Sequence, residues 1–279
     1  MSDKTKFLIV CNMKSGSTWL ELMLGSLRDV AVDYEFKWRP EYAPSPEHMV
    51  IPDRNFRCGQ ALSTIQSDKP ILGSKLVFDI YDTTEVEYEG LTDTIESDIR
   101  VIHLTRNYIE LYLSATYHPG IKLNECAKHD SQSVLLRSML EKNPNVDRIN
   151  LETKLSGQVF VVPESFAPVL HVMLMNDLAA MRLSQRKHYM VVDYTQVREK
   201  FADIANFVGS RATQAEFDAI LANPPTVKNP KMAPHQLIQN YDQLVDLANM
   251  YEEQKKQFLA RLLELRKIHR LDPVTPSGP

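Results

Sequence analysis

Lys14-Ser15-Gly16-Ser17-Thr18-Trp19 places a cation, a glycine and three hydroxyl residues in a row, directly after the apolar run Phe7-Leu8-Ile9-Val10-Cys11 and before a helical pattern. A helix that starts here leaves several N–H groups unpaired and carries partial positive charge at that end. Gly16 permits a backbone conformation that other residues resist, and Lys14 adds a full charge. Together these features suit a phosphate or a sulfate. The competing reading is an ordinary strand-to-helix turn in which Ser17 and Thr18 act only as N-caps. The segment is not a Walker A loop, which needs a Gly, four residues and then Gly-Lys-Ser/Thr. Here the Lys precedes the Gly and the loop is shorter. That suits a terminal phosphate bearing one further tetrahedral anion better than a triphosphate.

A second cation follows a second apolar run. Ile99–Thr105 ends in Arg106. In Mg-dependent nucleotide enzymes a core strand commonly ends in a metal-holding Asp. An Arg at that place repels Mg²⁺ and offers forked donors that fit phosphate oxygens. Ser114 lies eight residues further on, and eight helical steps are about 800°, or close to the same azimuth two turns along. One phosphate could touch both side chains. Alternatively, Arg106 pairs with a carboxylate such as Glu110, and Ser114 packs against the sheet. Two anion sites on neighbouring strand ends imply a nucleotide with two separated anionic groups.

Positioning these residues requires a sheet. Lys6–Asn12, Ile71–Asp79, Ile99–Thr105 and His188–Val192 are short, β-branched apolar runs, as expected of parallel strands covered on both faces. Helical patterns lie over Thr18–Arg28, Tyr108–Tyr117, Glu164–Arg186, Thr195–Gly209, Thr213–Ala222 and Asn240–Arg270. The alternation predicts an α/β fold, a three-layer parallel sheet with helices on both faces. Ligands of such sheets sit beyond the carboxyl ends of the strands, where Lys14 and Arg106 fall. The last helix carries Phe258, Leu262, Leu265 and Ile268 as a stripe, read as core packing or else as a homodimer contact. With 279 residues and no repeat or linker, the chain is expected to form one domain over 1–279, with a loose tail at 272–279. The net charge of −4, from 32 Lys+Arg against 36 Asp+Glu, argues against nucleic acid as partner. No stretch reaches the about 18 apolar residues needed to span a bilayer, and the N-terminal run is too short for a signal peptide. Cys11, Cys58 and Cys126, an odd number without metal-like spacing, read as reduced thiols of a cytoplasmic protein.

The two anion motifs resemble those of the sulfotransferase family. Lys14–Trp19 is similar to its 5′-phosphosulfate loop, usually Pro-Lys-Ser-Gly-Thr-Thr-Trp, with Met13 in place of the Pro and Ser17 in place of one Thr. Arg106, seven intervening residues and Ser114 resemble its 3′-phosphate motif. Met190–Val197 resembles a later strand that ends in a Tyr beside adenine. The resemblance spans residues 6–209, with the three motifs in family order. It implies a P-loop nucleotide-hydrolase-like fold and 3′-phosphoadenosine 5′-phosphosulfate (PAPS) as sulfo donor, with the bisphosphate PAP as product and no metal. It further implies that Lys14 and the N–H groups of Ser15, Gly16, Ser17 and Thr18 hold the 5′-phosphate. Lys14 would also stabilise charge on the bridging oxygen. Trp19 and Tyr194 would flank the adenine, and Arg106 and Ser114 would bind the 3′-phosphate. The family's C-terminal Arg-Lys-Gly segment does not occur; Lys228 or Lys231 is its candidate replacement, with a solvated loop as the other reading.

The acceptor's proton needs a base. Many cytosolic sulfotransferases carry Lys-x-His on the second core strand, but Lys75 is followed by Leu76-Val77-Phe78. Some bacterial enzymes acting on sugars use a Glu shortly after the first helix, and Leu72–Leu76 also resembles their second strand. Glu35 is therefore the candidate base, with Asp33, Asp79 and His118 as alternatives, and Lys75 is placed near the transferring sulfo group. Segments 30–56 and 118–162, with Tyr34, Phe36, Trp38, Tyr42, His118 and His129, are read as loops around a hydroxylated small-molecule or carbohydrate acceptor. Two alternatives are kept. One is a kinase-like phosphotransferase using ATP and Mg²⁺, with Asp79 on the metal. The other is a non-catalytic nucleotide-binding protein.

Overall fold

A computed structural model describes residues 4–38, 48–51, 55–78, 92–116, 161, 163–225 and 238–268. Six strands form one sheet in the order β3-β2-β4-β1-β5-β6, and every pairing in it is parallel. In chain order the elements are β1 (Thr5–Asn12), α1 (Ser17–Gly25), β2 (Val30–Trp38), β3 (His48–Ile51), α2 (Cys58–Leu62), β4 (Ile71–Phe78), β5 (Arg100–Thr105), α3 (Tyr108–Thr116), α4 (Pro163–Arg182), β6 (Tyr189–Asp193), α5 (Phe201–Val208), α6 (Gln214–Ala222) and α7 (Tyr241–Ile268).

The continuous apolar runs are explained by β1. Leu8 and Val10 point to one face of the sheet, against α4 and the elements around α2. Phe7, Ile9 and Cys11 point to the other, against α1 and α5. Neither face meets water, so alternation in polarity is lost. Each buried Phe, Leu, Ile or Val contributes about 1.5–3 kcal/mol, which makes β1 a rigid base for the turn that follows it. Phe7 lies so close over Gly73 of β4 that a Cβ there would sit 2.0 Å from its ring. Burial pushes the Cys11 thiol up to about 11 and the Cys58 thiol up to about 12, so both stay protonated.

The four expected strands are all present. The reading of 30–56 as a loop is corrected, because Val30–Trp38 and His48–Ile51 are strands. Asp33, Glu35 and Lys37 alternate with apolar residues there, the pattern of a strand with one polar side, not of the buried kind sought. The reading of the α7 stripe as core packing is corrected too. Phe258, Leu265 and Ile268 are exposed, while Leu244, Ala248, Glu252, Lys255 and Arg266 are buried. Leu259 and Leu263 pack on the sheet-facing core. The core line of this helix includes charges, and these hid its period. Asp79, His118, Cys126, His129, Lys228, Lys231, the tail 272–279 and, Val161 apart, the segment 118–162 lie outside the described residues.

The strand order places the site. From β1 the chain passes through α1 to β2, beyond β4 on one side. From β5, β1's other neighbour, it passes on to β6 on the opposite side. The crossovers diverge between β1 and β5, which opens a crevice at their carboxyl ends.

Candidate active site

The turn after β1 is built from alternating backbone signs. Lys14 has φ 66° and Gly16 has φ 95°, and Ser15 between them is not left-handed. Such alternation turns successive N–H groups inward, making a concavity that takes anions. The turn is pinned at its base, where Met13 N–H donates to Phe78 O (2.8 Å) and Ser15 N–H to Asn12 O (3.2 Å). The N-cap of α1 is Gly16 itself; no side chain caps the helix, and its first turn holds no acid. The reading of Ser17 and Thr18 as mere N-caps is therefore excluded. The Thr18 hydroxyl instead accepts from Lys75 Nζ at 2.9 Å.

Arg106 faces this turn. Its Nη1 donates to the Lys14 carbonyl at 2.9 Å, and its guanidinium lies 4.6 Å from the centre of the Tyr194 ring. Its Nε and Nη2 also meet Glu110 Oε2, at 3.0 and 2.9 Å. The Glu110 pairing weighed from the sequence is therefore present, and the same guanidinium also turns toward the loop after β1. Arg106 is 7% exposed and Glu110 40%, so the pair lies at the rim of the crevice with its carboxylate toward solvent. Ser114 is half-buried on α3, two turns beyond Arg106.

Tyr194 does not stand opposite Trp19 across a slot. The two rings meet edge to face, with centroids 5.8 Å apart and planes at 66°, which leaves no room for a base between them. Tyr194 braces the loop: a Cβ on Gly16 would fall 2.3 and 2.5 Å from its ring carbons. Gly16→Ala is expected to lower stability by about 1–2 kcal/mol from the positive φ alone, and by more because of the ring. In a Tyr194→Leu background only the backbone part should remain. Urea unfolding of the single and double variants checks this, and equal losses in both backgrounds would remove the bracing role.

Beside the turn, Lys75 joins two carboxylates. Its Nζ is 2.9 Å from Glu21 Oε2 and 3.4 Å from Glu35 Oε2. Glu35 reaches it through a β-bulge. The register runs Val32↔Gly73 and then Glu35↔Lys75, so β2 holds one extra residue, and without it Tyr34 would oppose Lys75. Bulges re-aim side chains in this way. Burial would push the Lys75 ammonium down, but Glu21 and then Glu35 outweigh it and hold the lysine above its ordinary value. Lys75 is therefore a cation at neutral pH and cannot accept a proton. Burial, opposed by Lys75, raises the Glu21 carboxyl. Glu21 is 9% exposed and Glu35 20%, so Glu35 is the more accessible of the two carboxylates on Lys75.

The structure thus brings Lys14, Ser15, Gly16, Ser17, Thr18, Arg106 and Tyr194 to one crevice, and Lys75 and Glu35 to its flank. Sequence reading missed Glu21 and a buried assembly of Asn12, His103, Asp177 and Lys255. Three of the five had a signal: an acid on the apolar face of α1, a His inside a core strand, and an Asp in register with Leu170, Met173, Leu174 and Met181.

No protein-family model matches this chain, and no curated protein does. Among solved structures it is similar to a sulfotransferase from Alicyclobacillus acidocaldarius, at 14% identity over 98% of both chains with a TM-score of 0.39. It is also similar to mouse sulfotransferase SULT7A1 complexed with PAP, at 13% identity over 80% of this chain and 64% of that one, with a TM-score of 0.37.

Proposed function

We propose that this protein is a sulfotransferase, moving a sulfo group from PAPS to a hydroxyl of a small-molecule or saccharide acceptor by direct in-line transfer. One observation carries the reading. The guanidinium at the end of β5 is hydrogen-bonded to the carbonyl of Lys14, so two cationic sites meet across the crevice at the switch point. The residues fit a nucleotide charged at both its 5′ and 3′ ends: an inward-turned N–H loop with a lysine for one end, and forked donors for the other.

PAPS supplies a sulfo group on a phosphate leaving group. Lys14 and the N–H groups of Gly16, Ser17 and Thr18 bind the 5′ end, the Ser15 N–H being held by the Asn12 carbonyl. They stabilise the charge that grows on the leaving oxygen, an electrostatic effect that dominates many active sites. Arg106 and Ser114 hold the 3′-phosphate, and the outer surface of Trp19 is left for the base. Tyr194 acts through Gly16 and Arg106, not as the second wall of a slot. Glu35 takes the acceptor proton, and Lys75, as a cation, orients Glu35 and lends charge near Thr18. Cytoplasmic residence belongs to the same reading.

A kinase-like reading with ATP and Mg²⁺ is disfavoured by the cation at position 106 and by the short loop. Thermal melting separates the two. PAP at 100 times its dissociation constant should stabilise the fold by about 2.7 kcal/mol, a rise of about 5–10 °C for a chain this size, and ATP with Mg²⁺ should give little. The reverse pattern overturns the proposal. Binding of PAP without sulfate transfer to any of a panel of hydroxylated acceptors would favour a non-catalytic nucleotide-binding protein.

A further inference from the structure

Under the two anion-binding turns lies a buried polar assembly with no part in the proposed chemistry. Its centre is Asp177 of α4. Oδ1 accepts from Asn12 Nδ2 at 2.9 Å and from His103 Nε2 at 3.2 Å. Oδ2 accepts from the Tyr108 hydroxyl at 2.8 Å and lies 3.7 Å from Lys255 Nζ. From α7, Lys255 pairs with Glu252 at 2.7 Å. This pair brackets the turn that carries Arg106: Lys255 Nζ donates to the Arg106 carbonyl at 3.4 Å, and Glu252 Oε1 accepts from Tyr108 N–H at 2.9 Å.

A buried ion pair is seldom the most stable filling for a core, because desolvation offsets its attraction. Here the pair is matched instead to the backbone groups of one short turn. Only Arg106 and Asn107 separate β5 from α3, so a small change in that turn swings the whole guanidinium. Displacements of about 1 Å can cost about a hundredfold in function. Asn12, held by Asp177, is the residue just before the Lys14 loop.

We propose that Lys255 and Glu252 are positioning residues for the nucleotide. They fix the direction in which Arg106 leaves β5, while Asp177 keeps that turn in register with the loop after Asn12. The proposal rests on the two-anion reading given above. It is tested by titrating the full chain with PAP and with adenosine 5′-monophosphate, which lacks the 3′-phosphate. Lys255→Met should weaken PAP by about tenfold or more and the monophosphate by no more than about threefold, in line with the loss of one charged hydrogen bond. Lys255→Arg should restore most of the difference. Glu252→Gln keeps an oxygen for Tyr108 N–H but loses the ion pair, and should show a smaller loss that is still selective for PAP. A wild type that binds neither nucleotide overturns the two-anion reading itself. A wild type that binds PAP, with Lys255→Met losing both nucleotides equally or losing neither, overturns the positioning role alone. If Lys255→Met does not fold, Glu252→Gln decides by the same selectivity.

Discussion

Replacing Lys14 by Ala should lower sulfo transfer by about 10²–10³-fold, the usual cost of removing one group that stabilises a leaving or attacking oxyanion. Replacing it by Gly should do the same damage to turnover without harming the fold. Lys14 is held at φ 66°, a conformation that costs a side-chain-bearing residue about 1–2 kcal/mol. Gly relieves that strain and gives back about 0.5–1 kcal/mol through greater freedom when unfolded. The Gly variant should therefore be as stable as the Ala variant, or more stable by up to about 1.5 kcal/mol. Urea unfolding beside a sulfate-transfer assay reads both quantities. Near-normal turnover in either variant would remove Lys14 from the chemistry. The strain is informative in itself, since left-handed non-glycine residues persist where the surroundings over-determine them, often at binding sites.

Arg106→Ala should cost PAP about 10–150-fold in affinity, the range for hydrogen bonds to a charged group, and cost adenosine 5′-monophosphate only a few fold. The smaller loss follows from the hydrogen bond to the Lys14 carbonyl, through which Arg106 also supports the 5′ end. Arg106→Lys should not rescue it. One ammonium cannot reach the Lys14 carbonyl, lie over Tyr194 and offer a fork to a phosphate together. Glu110→Gln should move PAP affinity the other way, because the carboxylate now shares the edge of the guanidinium that a phosphate would take. Isothermal titration with the two nucleotides measures these changes. Equal losses for both in Arg106→Ala would leave no reason to place a 3′-phosphate there.

The buried carboxylates show why part of the site could not be read along the chain. Burial pushes the Asp177 carboxyl up, but the His103 hydrogen bond, Lys255 and the Tyr108 hydroxyl outweigh it and hold it below its ordinary value. Asp177 meets partners from β1, β5, α3 and α7, up to 165 positions away. The residue types were visible; their convergence was not. The same holds for Glu21 and Glu35 around Lys75. Opposing Glu35 to Lys75 takes a one-residue bulge in β2, and nothing local in Asp33-Tyr34-Glu35 signals it.

Local physics along the chain determined the buried strands, the helices that alternate with them, and the two cations that follow strand ends. Buried parallel strands must be apolar throughout, and a left-handed turn before a helix favours Gly, so these features can be read in order. Only the tertiary structure decided that Arg106 points at the Lys14 carbonyl, that Tyr194 presses on Gly16 instead of facing Trp19 across a slot, and that charges on α7 lie on its core side. Each depends on side chains brought together by strand order and register, and neighbours along the chain do not encode such meetings.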